Sequence, residues 1–137
     1  MRGRSFLDTS ILVFTDDRSS SEKQEIALRV FADCRRRRNG VVSTQVLQEY
    51  FVAATGRLGV AAEVARRKVE IFGHLHVVGL DLGDVLAASD LHRLHGLSLW
   101  DALVVRAALA SGCSRLYSED LQAGRRFEGL EIVNPFT

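Results

Sequence analysis

Short apolar runs alternate along the chain with longer stretches in which apolar residues recur at helical spacing. The short runs predict buried strands at Phe6-Leu7, Val41-Val42-Ser43, His76–Leu80, Arg115–Tyr117 and Glu131–Val133. The stretches between them predict helices that end near Asn39-Gly40 and near Gly56, and helices over 60–72, 82–95 and 99–110. This alternation is typical of an α/β fold with a parallel sheet covered on both faces.

Small polar residues mark where these helices are expected to begin. Ser19-Ser20-Ser21 precedes Glu22 and Gln24, which is an N-terminal capping pattern for the first helix. Thr44 is placed to cap the helix after the second strand, and Ser98 is placed to open the last helix. No repeat or linker interrupts the pattern.

The composition indicates one globular domain, residues 1–137. With 47% hydrophobic and 26% charged residues the chain can build a core. No apolar run approaches the ~18 residues of a membrane span, and we expect neither a signal peptide nor a membrane partner. Cys34 and Cys113 are the only cysteines. We expect them to be buried free thiols in a reducing compartment, which makes the cytoplasm the expected location.

An acid interrupts the first apolar run where the first strand is predicted to end. Asp8 lies within the run Phe6–Phe14, and no Lys or Arg occurs between Ser5 and Asp17 to pair with it. A buried carboxylate carries a large desolvation penalty unless it is paired. Open α/β sheets bind ligands at the carboxyl ends of their strands. Asp8 is therefore a candidate site residue whose partner lies elsewhere in the chain or is a cation.

Three further acids are predicted at the same edge of the sheet. Asp120 follows the fourth predicted strand, Asp101 lies in the first turn of the last helix, and Glu49 lies on the helix after the second strand. Strand carboxyl ends and the first turns of the following helices share one edge of a parallel sheet. We therefore expect Asp8, Asp101 and Asp120 to converge there, with Glu49 reaching in.

Each of these acids also has a purely structural explanation. Ser98 and Asp101 have the spacing of a capping box. Asp120 is placed to cap a short helix over 121–124, and Glu49 suits a solvated helix position. Asp8 is the hardest to explain in this way, and four unrelated placements at one edge are less expected than one shared site.

Carboxylates packed together repel one another unless positive charge is supplied. The only two lysines, Lys23 and Lys68, fall in helical patterns away from this edge. A hard divalent cation is therefore the expected counter-charge. Mg²⁺ or Mn²⁺ takes oxygen ligands and retains water, and acids with such ions suit phosphodiester hydrolysis.

The chain resembles PIN-domain ribonucleases, and specifically the VapC-type toxins of bacterial and archaeal toxin–antitoxin pairs. The motifs that carry this resemblance, in order, are Leu7-Asp8-Thr9-Ser10, Gln48-Glu49-Tyr50, Leu97–Ala102, Tyr117–Gly124 and Val133–Phe136. Each motif is weak alone, but their order and spacing together are specific and span essentially the whole chain.

The resemblance implies an α/β/α sandwich with strand order 3-2-1-4-5, a Mg²⁺ or Mn²⁺ site, an RNA substrate, a homodimer and inhibition by a cognate antitoxin. It matches four acids to the family's catalytic and metal-binding positions: Asp8, Glu49, Asp101 and Asp120. The supporting hydroxyl groups are then those of Thr9, Ser10 and Ser118, with Ser10 standing where many relatives have Asn. Glu119 is an alternative to Asp120, but the Ser118-x-Asp120 spacing favours Asp120.

Other polar and aromatic residues have weaker claims to function. Sixteen of the eighteen basic residues are Arg, although the net charge is only +1. The cluster 35–38 suits a helix C-terminus, whereas Arg125 and Arg126 follow Asp120 closely and are candidates to contact RNA phosphate or an antitoxin acid. Trp100 is expected to serve in core or interface packing rather than as a platform for base stacking. The histidines are expected to be structural or superficial: His74, His76, His92 and His95.

The sequence leaves other functions to be weighed. A receiver-type phospho-acceptor is also a small α/β domain with an acidic Mg²⁺ pocket, but neither Lys23 nor Lys68 is placed at a strand end as that chemistry requires. Within the family, the alternatives are a nuclease of DNA or of RNA processing that is not a toxin, and a non-catalytic interaction module.

Overall fold

A computed structural model describes residues 3–137 as six strands and six helices around one core. The strands are β1 Arg4–Leu7, β2 Gly40–Ser43, β3 His76–Val78, β4 Cys113–Tyr117, β5 Arg126–Phe127 and β6 Leu130–Val133. The helices are α1 Thr9–Phe14, α2 Ser21–Arg37, α3 Thr44–Thr55, α4 Ala62–Phe72, α5 Leu82–His95 and α6 Leu99–Ala110. In this part of the chain, no helix is both long enough and apolar enough to cross a membrane.

The sheet has the order β3-β2-β1-β4-β6-β5, and its first five members run parallel. The five predicted strands therefore take the implied order 3-2-1-4-5, with β6 as the fifth. The first two crossovers move along the sheet in one direction, and the third returns past β1. Because such connections are right-handed, the helices lie on opposite faces, which confirms the expected α/β fold.

The structure adds two elements that the sequence pattern did not predict. One is β5, a two-residue strand that pairs antiparallel with β6, so the sheet is not wholly parallel. The other is α1, which follows β1 directly and buries Ile11, Leu12 and Val13. Its apolar residues are consecutive, so no helical period is visible over six residues.

Several predicted helix starts are corrected. The α3 cap is Ser43, whose hydroxyl accepts from the Val46 N–H at 3.3 Å, and not Thr44. Ser20 is the N-cap residue of α2 but its hydroxyl forms no capping hydrogen bond. Helix α4 begins at Ala62 rather than at residue 60, because Ala61 is its N-cap residue and has an extended backbone with a ψ of 142°.

The core packs both faces of the sheet around β1. Phe6 and Leu7 are fully buried, as expected for a central strand. Cys34 and Cys113 are buried free thiols, as predicted. Burial raises the pKa of the Cys34 thiol to about 11, which keeps it protonated and unreactive at neutral pH.

Candidate active site

The four predicted acids line one cleft at the carboxyl edge of the sheet. Asp8 follows β1 and caps α1, Asp120 lies beyond β4, Asp101 is in the first turn of α6 and Glu49 lies on α3. The cleft has a volume of about 280 Å³, and its lining comprises Asp8, Thr9, Gln45, Glu49, Trp100, Asp101, Val104 and Asp120. The structure thus brings together side chains that lie up to 112 residues apart in sequence (120 − 8).

Asp8 is the most buried acid of this cleft, with only 5% of its surface exposed. Its Oδ1 accepts the Thr9 N–H at 2.7 Å, and its Oδ2 accepts the Ser118 hydroxyl at 2.7 Å. Burial and, to a smaller extent, the charges of Asp120 and Asp101 raise the pKa of Asp8 to about 6, although these two hydrogen bonds act to lower it. The protein therefore holds this carboxylate in a position where its negative charge is unfavourable.

Glu49 is held against Asp8 by the residue between them in space. The Thr9 hydroxyl donates to Glu49 Oε1 at 2.6 Å, while the Thr9 N–H binds Asp8. The Gln45 amide, one helical turn earlier on α3, donates to Glu49 Oε2 at 3.2 Å. Glu49 is half-buried and hydrogen-bonded on both oxygens, so the solvated helix position expected as its structural explanation is wrong.

The other two structural explanations fare differently. Ser98 does cap α6, since its hydroxyl accepts the Asp101 N–H at 3.1 Å. A full capping box also requires the Asp101 carboxylate to accept the Ser98 N–H, and this second hydrogen bond does not form between these two described residues. Residues 121–124 form a turn and not the short helix that Asp120 was placed to cap. Neither carboxylate is therefore used up in capping a helix.

Asp120 shares the electrostatic strain of Asp8. Burial raises the pKa of Asp120, and the charges of Glu119, Asp101 and Glu49 raise it further. Within residues 3–137, none of the four cleft acids forms an ion pair with a basic side chain. The mutual repulsion of these carboxylates is therefore not neutralised by the protein.

The Ser118 hydroxyl connects Asp8 to the main chain of Asp120 through hydrogen bonds. It is fully buried, and its hydroxyl donates to Asp8 while accepting the N–H groups of Asp120 at 3.1 Å and Leu121 at 3.2 Å. Ser10 contributes differently, because its hydroxyl accepts the Glu119 N–H at 3.1 Å. Each of the three predicted hydroxyl residues thus forms a hydrogen bond with a cleft acid or with the main chain of residues 119–121: Thr9, Ser10 and Ser118.

Replacing Ser118 with alanine is expected to destabilise the protein by about 2 kcal/mol, because a buried carboxylate loses a donor and buried N–H groups lose their acceptor. The same change should raise the pKa of Asp8 above its value of about 6. Urea unfolding across a pH series would measure both effects. Ser118→Thr keeps the hydroxyl and is the control. A Ser118→Ala protein as stable as the Ser118→Thr protein would contradict this role.

One lysine lies closer to the cleft than its helical position suggested. Lys23, on α2, forms an ion pair with Glu119, directly beside Asp120. This corrects the expectation that both lysines lie away from the edge, whereas Lys68 pairs with Asp16 at 2.8 Å. The Lys23 contact also separates the two neighbouring acids, because Glu119 faces Lys23 while Asp120 lines the cleft.

The two arginines predicted to touch phosphate or an antitoxin acid do not line the cleft. Arg125 donates to the His95 main-chain oxygen at 2.9 Å and lies over the Phe127 ring at 4.8 Å. Arg126 pairs with Glu131 at 3.5 Å. The four histidines are exposed, and none lines the cleft, in line with the expectation for them: His74, His76, His92 and His95.

The donor set of the cleft fits a hard divalent cation. The titratable side chains in its lining are all carboxylates, and the described residues there include no Cys or His that would select a softer metal. Among residues 3–137, no three acidic, histidine or cysteine side chains stand close enough to bind one ion together. Mg²⁺ is bound in proteins by one or two carboxylates and keeps several waters, so two of these acids with water completing the shell is the arrangement that the cleft allows.

Gln45 and Trp100 belong to the lining but were not predicted to. The Gln45 Oε1 atom is buried without a hydrogen-bond partner among the described residues, so this polar cleft has an unused acceptor. Its position four residues before Glu49 on the same helix face was the signal available in the sequence. Trp100 is 64% exposed, so the expected core packing is wrong for it.

Comparison with known proteins agrees with this architecture. The chain is similar in structure to VapC20 of Mycobacterium tuberculosis, described as a Sarcin-Ricin loop cleaving toxin, with a TM-score of 0.70, 19% identity, and 85% of this chain and 89% of that chain covered. It is also similar to a chain of a toxin–antitoxin complex from Klebsiella pneumoniae, with a TM-score of 0.68, 17% identity, and 96% and 97% covered. At these identities, the likeness shows the fold.

No curated protein matches the chain. The sequence pattern of the PIN domain does match it, over residues 5–126. That match includes all four cleft acids and nearly the whole described chain. The protein belongs to the PIN-domain family.

Proposed function

We propose that this protein is a metal-dependent endoribonuclease that hydrolyses RNA phosphodiester bonds and acts as the toxin of a type II toxin–antitoxin pair. The observation that carries the proposal is the convergence of four carboxylates in one cleft, two of them with raised pKa values and none with a basic partner among the described residues. Such a site gains stability when a cation enters it. Membership of the PIN-domain family and the two toxin-system structures support the same conclusion.

In this proposal Asp8 and Asp101 hold Mg²⁺ or Mn²⁺ directly, and Glu49 and Asp120 complete the site through water, because no three of these carboxylates stand close enough together in the described chain to bind one ion. When bound, the ion supplies an activated water and stabilises negative charge on the attacking and leaving oxygens. The protein supplies fixed geometry. Thr9 and Ser118 hold the two oxygens of Asp8 in place, so the carboxylates are positioned before substrate arrives.

The experiment that tests the nuclease is RNA cleavage by the purified protein in Mg²⁺ or Mn²⁺ and in EDTA. Cleavage at internal positions, dependent on the ion, is the expected result. Cleavage of DNA alone would favour a DNA nuclease of the same family. The absence of cleavage with either ion, in protein that binds RNA, would favour a non-catalytic module and contradict the proposal.

The toxin role is tested in cells. Induced expression should arrest growth, and co-expression of a cognate antitoxin, to be sought in the adjacent reading frame, should relieve the arrest. The Asp101→Asn variant should not arrest growth at equal protein level. A cleaving enzyme whose expression leaves growth unchanged would instead point to RNA processing. We also propose that the protein works in the cytoplasm, on the ground of its proposed RNA substrate and antitoxin.

We also propose a homodimer. Helix α5 carries an apolar stripe at i, i+3 and i+4 that stays exposed in the single chain: Leu82 at 72%, Val85 at 41% and Leu86 at 59%. The family resemblance makes a second copy the occupant. Replacing Leu82 and Leu86 together with Glu should convert dimers to monomers in sedimentation experiments. A wild-type protein that remains monomeric at high concentration would contradict this.

A further inference from the structure

The single tryptophan of the chain stands at the mouth of the acidic cleft. Trp100 precedes Asp101 in the first turn of α6, lines the cleft, and leaves 64% of its surface exposed. Tryptophan is on average among the more buried residues, and an exposed indole forgoes the stabilisation that burial would give. This side chain therefore contributes little to the core of the single chain.

The main chain under the indole is fixed relative to the acids. Ser98 caps the helix turn through the Asp101 N–H at 3.1 Å. The Gln45 amide donates to the Trp100 main-chain oxygen at 3.3 Å and to Glu49 Oε2 at 3.2 Å. One amide thus links the turn that carries Trp100 to a cleft acid on another helix, so the main chain that carries the indole has a defined position beside the carboxylates.

The cleft offers RNA little attraction apart from this residue. Among residues 3–137, its lining holds four carboxylates and no Lys or Arg, and the charge of these acids repels phosphates until a cation is bound. Thr9, Gln45 and Val104 are too small or too narrow to cover a base. Trp100 is the one aromatic residue that the described part of the chain contributes to the lining.

We propose that Trp100 stacks on a nucleobase of the RNA, that of a nucleotide flanking the phosphate placed among the four acids. The inference rests on the proposed ribonuclease function and identifies how that site holds its substrate. Aromatic side chains bind single-stranded RNA by stacking on unpaired bases. Stacking tolerates any base, and it fixes the strand without adding charge near the carboxylates.

A second copy of the chain is the competing occupant of this surface. A protein surface packed on Trp100 would cover the mouth of the cleft that a phosphodiester must enter. The exposed stripe of α5, Leu82–Leu86, offers an apolar contact surface outside the cleft lining. The position of Trp100 in the lining therefore favours RNA.

The uniqueness of Trp100 makes its fluorescence a reporter of one site. An Asp8→Asn protein, which should bind RNA without cutting it, is titrated with an unstructured oligoribonucleotide while tryptophan emission and RNA anisotropy are followed together. Saturable quenching with the same midpoint as the anisotropy change is expected. RNA binding with unchanged emission would overturn the inference.

Cleavage by variants separates stacking from simple apolar contact. Trp100→Leu keeps an apolar side chain and should lower kcat/KM by about 10- to 100-fold. Trp100→Phe keeps a ring and should retain activity within about threefold. Leu99→Ala alters the neighbouring apolar residue outside the cleft lining and is the control, with an expected change below about twofold.

Substrates that lack one base test whether that base and the Trp100 side chain act together. Removing the base at a single position beside the cut should lower the kcat/KM of the wild type about as much as the Trp100→Leu change lowers it on intact RNA. The same removal should change the kcat/KM of Trp100→Leu little. Equal losses for both proteins at every position would overturn the inference and leave the nuclease standing. Loss of dimers in Trp100→Leu, with activity restored at high protein concentration, would also overturn it, because the residue would then be an interface anchor. A wild type that neither cuts nor binds RNA would remove the proposed function and this inference together.

Discussion

Replacing Asp8 with asparagine is expected to lower RNA cleavage by about a thousandfold or more while the fold stays intact. Asparagine keeps the shape and can still accept the Thr9 N–H, but it removes the charge at the centre of the carboxylate cluster. Loss of one direct ligand to a catalytic ion removes several kcal/mol of transition-state stabilisation, and about 4 kcal/mol corresponds to that factor. Single-turnover cleavage in saturating Mn²⁺ measures the loss, and circular dichroism verifies the fold.

The matched control is Glu119→Gln, a neutralised acid next to the cleft. Glu119 pairs with Lys23 and does not line the cleft, so this variant should cleave within about threefold of wild type. Asp120→Asn, one residue further, should lose most activity. Equal cleavage by the Asp8→Asn and Glu119→Gln proteins would remove Asp8 from the site. A loss in Glu119→Gln as large as that in Asp120→Asn would reassign the fourth acid.

The second large effect concerns stability of the metal-free protein. The folded state raises the pKa of Asp8 from 3.8 to about 6, so it binds a proton more tightly than the unfolded chain does. The stability contributed by this proton is complete below about pH 4 and is lost as pH rises through about 6. The size of the loss is about 3 kcal/mol. In EDTA, the free energy of unfolding of wild type should therefore fall over this window relative to Asp8→Asn.

A cation should reverse this loss. Above pH 7, Mn²⁺ or Mg²⁺ at about a hundred times the wild-type Kd should raise the free energy of unfolding of wild type by about 2.7 kcal/mol, and that of Asp8→Asn, with its at least tenfold weaker affinity, by no more than about 1.4 kcal/mol. The control Asp90→Asn removes an exposed acid on α5 and should follow wild type in both solutions. Parallel pH curves for wild type and Asp8→Asn in EDTA would show that the Asp8 carboxylate is not destabilising.

Much of this fold could be predicted because its signals are local. Buried strands appear as short apolar runs, and helices such as α5 end at Gly96, which takes a left-handed φ of 69° that favours glycine. Helix α1 and strand β5 could not be predicted, because a six-residue apolar helix and a two-residue strand have no detectable period. Their existence depends on tertiary packing: Ile11 and Leu12 are fully buried, and Phe127 is nearly so.

Some features of the candidate site could likewise be predicted from the sequence, and others could not. The four acids could be placed at one edge because strand polarity and chain order determine where a parallel sheet brings them. The pairing of Lys23 with Glu119 joins residues 96 positions apart, and no local pattern reports it. The exposure of Trp100 was equally hidden, since an apolar helix predicts burial for every large side chain on it. The Lys23–Glu119 pair decides which of the two neighbouring acids faces the cleft, and the exposed Trp100 adds an aromatic residue to the cleft lining.

The most direct test of the central claim is a titration of Mn²⁺ into the purified protein at about pH 7.5, with free Mn²⁺ followed by electron paramagnetic resonance. We expect saturable uptake by wild type and by Asp90→Asn. We expect affinity at least about tenfold weaker for Asp8→Asn, because the most buried of the four acids can no longer balance the charge of the ion. Equal uptake by wild type and Asp8→Asn, or no uptake by wild type, would contradict the claim that these carboxylates form a metal site.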